Sequence, residues 1–252
     1  MTARRDYRPR DGRSPEIEDD LSGPAIVSPQ PGSARWTDAF TGTRAARLWH
    51  GLVAVMAFAG IGMELWTAIA DTVASGPAAV AARLAYLFCY FTILSNTLLA
   101  VTSVLLVLDP RRDGPIFRVA RLDAVLCIAV TGIVYNTVLS GLRDLTEAGI
   151  VSNFLLHQGG PLLAVVGWFV VGPRPRADRR TVVWSMAAPL AWIAYTFAAG
   201  AISGFYPYPF MQADVIGYPA ALLGTGIVVV IFLVLASILG RLDTRLGPVP
   251  TA

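Results

Sequence analysis

Thr92, Ser95 and Asn96 stand at i, i+3 and i+4, a spacing that stacks two hydroxyls and an amide on one face of a helix. They lie inside a long apolar run, and Cys89 and Ser103 continue roughly the same stripe. Elsewhere Glu64, Asn136, His157 and Tyr195 interrupt apolar stretches singly. A hydroxyl is a poor nucleophile until a base takes its proton, and a neutral imidazole is suited to that near pH 7. Amides donate to an oxyanion, and a carboxylate orients an imidazole. A second chemistry open to the same set is a proton relay between Glu64 and His157. The plainest use is interhelical glue, worth on average about 0.6 kcal/mol per hydrogen bond between membrane helices, with Glu64 close enough to the interface to be wet.

The elements that must position these residues are legible from composition. Of 252 residues, 55% are hydrophobic and 15% charged, and the charges gather between unbroken apolar blocks. A soluble domain would be roughly a quarter charged, with apolar residues recurring at helical or strand period. Six apolar runs, at 46–70, 84–108, 119–142, 152–171, 181–203 and 219–239, are each near the ~20 residues a helix needs to cross the hydrocarbon layer. Lipid offers no partner for an unpaired amide, and no strand-like alternation appears, so the expected fold is an all-α integral membrane bundle of about six helices over 46–240.

Residues 1–45 carry Arg4, Arg5, Arg8, Arg10 and Arg13, then Glu16, Glu18, Asp19 and Asp20, then a Pro-, Gly-, Ser- and Ala-rich stretch, which reads as a disordered tail. It is too long and polar for a secretory signal, so the first helix is expected to stay uncleaved. Residues 241–252 read as a second, short tail. All twenty basic residues are arginine, and eighteen flank one set of loop ends, leaving only Arg83 and Arg143 on the other side. By the positive-inside rule both termini and the loops 109–121 and 172–180 face the cytoplasm, as expected of a multi-pass protein of the plasma membrane. Glu64, Thr92, Ser95, Asn96, Asn136, His157 and Tyr195 then share one depth, in the outer half of the bilayer, with Thr92 two to three turns below the outer end of its helix. His50, beside Arg44 and Arg47, is expected at the inner interface.

Several classes are excluded or left without support. Arginines that flank spans mark topology, which argues against nucleic acid as a partner. Cys89 and Cys127 sit within apolar runs, so neither a disulfide framework nor a metal site is expected, and nothing calls for a cofactor. No Gly-x-Ser-x-Gly elbow, His-Glu-x-x-His, Cys-x-x-Cys or phosphate loop is present. Internal repeats are not evident, which disfavours the common transporter folds. The loop 204–218, with aromatics and prolines but no basic residue, either caps the outer mouth of the bundle or forms a plain aromatic belt.

The segment Tyr90-Phe-Thr92-Ile-Leu-Ser95-Asn96, followed by Leu-Leu-His157-Gln-Gly-Gly-Pro161, resembles the androgen-induced-gene, or FAR-type, membrane protein family. It is most similar to the bacterial branch known as Pr-six-Pr membrane proteins, whose loop Tyr206-Pro-Tyr-Pro-Phe210 also matches. The resemblance covers most of 46–240. It implies a multi-spanning hydrolase of fatty acid esters in which Thr92 is the nucleophile and His157 its partner. One departure is Gly167 before Trp168, where the bacterial pattern has an acidic residue.

Three readings follow. The first is an intramembrane threonine/histidine hydrolase of lipid esters, with Asn96 or Asn136 as oxyanion donor and Glu64 orienting the imidazole; the ester enters sideways from the outer leaflet. The second is a proton-coupled carrier. The third is a non-enzymatic interaction protein whose polar layer only holds helices together.

Overall fold

The computed structural model describes residues 43–142 and 144–246. The expected tail over 1–45 therefore lies outside the described residues up to 42, as does 247–252 of the second tail.

The described chain is helical, without a strand. Its elements are α1 Thr43–Ala70, α2 Pro77–Leu87, α3 Phe91–Leu108, α4 Pro115–Leu139, α5 Glu147–Val170, α6 Arg179–Ser203, α7 Ala213–Ile216 and α8 Tyr218–Arg245. α1, α3, α4, α5, α6 and α8 are long and apolar enough to cross a membrane. Many of their outward side chains are apolar as well, among them Leu48, Ile202 and Leu223. Helix starts carry ordinary signals: Pro77 and Pro115 occupy first-turn positions, while Thr146 and Asp178 cap α5 and α6 by accepting from Gly149 N and Thr181 N. Gly204, at φ +71°, closes α6 in the left-handed conformation that favours glycine.

Two departures from the expected spans bear on the site. The run 84–108 is not one helix. It breaks at Phe88–Tyr90, where Tyr90 takes an extended backbone. Tertiary bonds replace the helical ones lost there: Trp192 Nε1 donates to Cys89 O at 3.0 Å, and Thr92 N donates to the Tyr208 hydroxyl at 3.2 Å. Thr92 thus sits in the first turn of α3, not two to three turns into a helix. The expected loop residue Arg121 is likewise inside α4, which begins at Pro115.

α4 runs through the middle. Val53, Leu99, Ala124, Ile128 and Ala164 join α1, α3, α4 and α5 in one buried layer. Leu126, Trp168 and Phe232 anchor a second between α4, α5 and α8. Small residues permit close approach, as is usual between membrane helices. A Cβ on Gly60 would lie 2.6 Å from the Leu156 side chain, and one on Gly167 would lie 2.4 Å from Trp49 Nε1. The Trp49 indole thus fills the space that an acidic side chain would take at position 167.

The two arginine-rich loops meet at one end. Arg176 donates to the carbonyls of Arg111, at 3.2 Å, and Arg112. Asp243 near the end of α8 accepts from Arg176 N and Ala177 N at 2.5 and 2.6 Å. Trp49, near the start of α1, reaches Leu163 O of α5 at 3.0 Å, so the described chain starts and finishes at this same end. His50 faces into the packing, at 2% exposed.

At the opposite end the loop 204–217 folds inward. Tyr206, Tyr208 and Met211 are buried with Ala213 and Ala221, and Tyr206 fills the space above Gly200. Of the two readings of this loop, the cap is the one observed.

Candidate functional site

Thr92 Oγ1 lies 3.3 Å from His157 Nε2 and 3.4 Å from the Tyr208 hydroxyl. Three separate elements therefore meet at one oxygen: the first turn of α3, the middle of α5 and the capping loop. Both Thr92 and Tyr208 are 8% exposed.

The histidine's tautomer follows from its other contact. His157 Nδ1 faces the Asn153 carbonyl at 3.3 Å. A carbonyl only accepts, so Nδ1 carries the proton and Nε2 turns its lone pair to Thr92. That is the arrangement a general base needs. The Tyr135 ring stacks on the imidazole with centroids 4.0 Å apart and holds its plane.

Two local distortions aim these rings. Tyr135–Leu139 and Leu155–Gly159 are both π turns, a rare helical form that frequently marks functional sites. The second ends at Gly160, where a Cβ would lie 2.6 Å from Leu155 O, a backbone atom that cannot give way cheaply. Gly160→Ala is therefore expected to distort the turn that carries His157 and to cost about 1–3 kcal/mol, the usual range for overpacking. Thermal unfolding of the purified variant in detergent checks this against Gly62→Ala, whose Cβ meets nothing within 4 Å and which should melt like the parent.

The rest of the expected polar layer divides. Ser95 Oγ donates to Thr92 O at 3.1 Å and pairs with Thr131 Oγ1 at 3.0 Å. Asn96 Nδ2 donates to Thr92 O at 2.9 Å and Leu156 O at 3.3 Å. Asn136 Nδ2 donates to Gly132 O at 2.8 Å and His157 O at 3.2 Å. These residues tie α3, α4 and α5 together around the Thr92–His157 pair. Their amide protons are already committed to carbonyls, so neither Asn96 nor Asn136 is placed as an oxyanion donor.

Glu64 and Tyr195 depart further from expectation. Glu64 Oε1 accepts from Ser152 Oγ at 2.7 Å, and the imidazole is oriented by the Asn153 carbonyl instead. Tyr195 is 55% exposed and meets Cys89 Sγ at 3.6 Å. Its place follows from helix geometry: Ile193 lines the interior cleft, and a residue two further on lies about 200° around the helix.

A cleft opens beside the reactive pair. Thr92, Thr131, Tyr135, His157, Tyr208 and Thr225 are its polar lining; the remaining wall is apolar, from α4, α6, α8 and the capping loop. Burial pushes the Tyr208 phenol up to about 12, so the hydroxyl keeps its proton through the neutral range and stays a donor. Among the described residues, no three His, Cys, Asp or Glu side chains gather closely enough to hold a metal ion.

Sequence reasoning did not single out Tyr208, Tyr135 or Ser152. The loop's aromatic content was a signal for Tyr208, but only the fold returns that ring to Thr92. No protein-family model, curated protein or solved structure matches the chain.

Proposed function

We propose that this protein is a multi-pass hydrolase of lipid esters in the plasma membrane, with Thr92 as nucleophile and His157 as general base. The observation that carries the reading is the 3.3 Å approach of Thr92 Oγ1 to His157 Nε2 beside a largely apolar cleft. His157 Nε2 takes the Thr92 proton as Oγ1 bonds to the ester carbon, and gives it to the departing alkoxide. Water then hydrolyses the acyl-threonine, with His157 again as base. The Tyr208 hydroxyl is the nearest protonated donor for the carbonyl oxygen as charge develops there. Apolar walls between α6 and α8 suit an acyl chain, in keeping with the family that residues 90–96 and 157–161 resemble.

The arginine-rich end is read as cytoplasmic and the Thr92 end as external, by the positive-inside rule. The carrier reading draws no support from the geometry, since Glu64 bonds to Ser152 while His157 bonds to Asn153 and Thr92, and not to each other. The interaction-protein reading is favoured by one observation, the donation of Asn96 and Asn136 across helices to Leu156 O and His157 O.

An alkyl fluorophosphonate, which traps activated hydroxyls, tests the proposal and its sidedness together. Peptide mapping of the treated, purified protein should find the adduct on Thr92. A membrane-impermeant form of the reagent should place it there in intact cells. Labelling elsewhere or nowhere rejects the nucleophile, and labelling only after permeabilisation reverses the orientation.

A further inference from the structure

At the end of the bundle remote from Thr92, Arg121 is only 6% exposed, and its Nε and Nη1 find no hydrogen-bond partner among the described residues. A guanidinium does not give up its proton, and a buried charge without a partner is strongly disfavoured. An acceptor is therefore required. The carboxylates of this region do not supply it. Asp113 is held by both Nε and Nη2 of Arg118 at 2.7 Å. Asp243 takes the backbone N–H groups of Arg176 and Ala177. Asp123, two residues beyond Arg121, lies about 200° around α4 and so on another face.

Arg121 instead lines a second cavity. Arg118, Arg176 and the Asp243 carboxylate, which already accepts from the Arg176 and Ala177 N–H groups, line it too, while Phe117, Trp168 and Pro173 form an apolar side. Arg174, with its guanidinium 5.6 Å from the Trp168 ring, adds positive charge nearby. We infer that this cavity is a binding site for a phosphate group, with Arg121 as its innermost ligand and Arg118 and Arg176 at its rim. Phosphate fits better than carboxylate because it offers more acceptor oxygens at once, to the Arg121 guanidinium and to the N–H groups that Arg118 and Arg176 keep beside their bonds to Asp113 and to the Arg111 and Arg112 carbonyls. The apolar side has a use where the phosphate belongs to a phospholipid headgroup, whose glycerol and acyl carbons would lie along Phe117 and Trp168; a free phosphate would use the arginines alone. The site shares no residue with the threonine centre and stands independently of the proposed hydrolysis.

The test uses the full-length protein, delipidated in detergent, with thermal unfolding and native mass spectrometry as readouts. Inorganic phosphate, phosphatidylglycerol and diacylglycerol are titrated separately. A phosphate-bearing probe should raise the melting temperature while diacylglycerol does not, and Arg121→Gln should weaken apparent affinity by about tenfold or more. A shift with inorganic phosphate alone assigns a free phosphate; a shift only with phosphatidylglycerol assigns a headgroup. Where Arg121→Gln does not fold, Arg118→Gln and Arg176→Gln carry the test, each expected to weaken the same titration. The inference is overturned if neither phosphate-bearing probe shifts the parent, if diacylglycerol shifts it equally, or if the folded variants bind like the parent.

Discussion

Thr92→Ala should lower release of fatty acid from a micellar lipid ester by at least about a thousandfold, the scale seen when a hydrolase loses its nucleophile. His157→Ala should fall by about 100- to 10,000-fold, the range for general-base loss. Because the two act on one proton, the double variant should be no worse than Thr92→Ala alone. Melting temperature must be read beside turnover. Thr92 is part of a network, but the anchoring bonds of Ser95 and Asn96 run to its backbone carbonyl, which alanine retains. The variant should therefore stay folded. Full activity in both single variants ends the enzymatic reading, and a fall in stability without any change in lipid turnover favours the interaction protein.

Tyr208→Phe should reduce kcat by about 100- to 1,000-fold while leaving KM nearly unchanged, as expected for a donor that acts in the transition state. The ring is kept, so its stacking with Phe210 and edge contact with Tyr90 persist. What is lost is one hydroxyl, which also leaves the Thr92 N–H without its acceptor, at a cost of order 1 kcal/mol. With the phenol pushed up to about 12, ionisation of Tyr208 should cause no loss of activity between pH 7 and pH 9 in the parent. Steady-state kinetics of the variant decide the matter: unchanged kcat removes Tyr208 from the chemistry and returns it to packing.

The number of spans was readable because apolar block length is a one-dimensional property. The resemblance singled out Thr92 and His157, but whether they touch was visible only in the fold. The break at Phe88–Tyr90 was not readable, because no proline or glycine marks it and its replacement partners, Trp192 and Tyr208, are more than a hundred residues away. Common depth also proved a weaker guide than facing direction: Tyr195 lies on the outer side of α6, whereas Tyr208, in a loop, enters the centre. Glu64 was read as the imidazole's orienting group because carboxylates commonly serve so. The spacing could not reveal that a backbone carbonyl one helical turn before His157 already fills that place.

The paired π turns make chain length itself a specificity-setting quantity. Each accommodates one residue more than an α turn would. A single deletion within 155–159 would let the turn relax to an ordinary α turn, keeping the facing of the segment beyond it but removing the bulge that carries His157. Gly167 would keep its place against Trp49, while the imidazole would lose its register with Tyr135. Homologous chains that keep this centre should therefore vary freely in the apolar walls while admitting no insertion or deletion between Asn153 and Gly160.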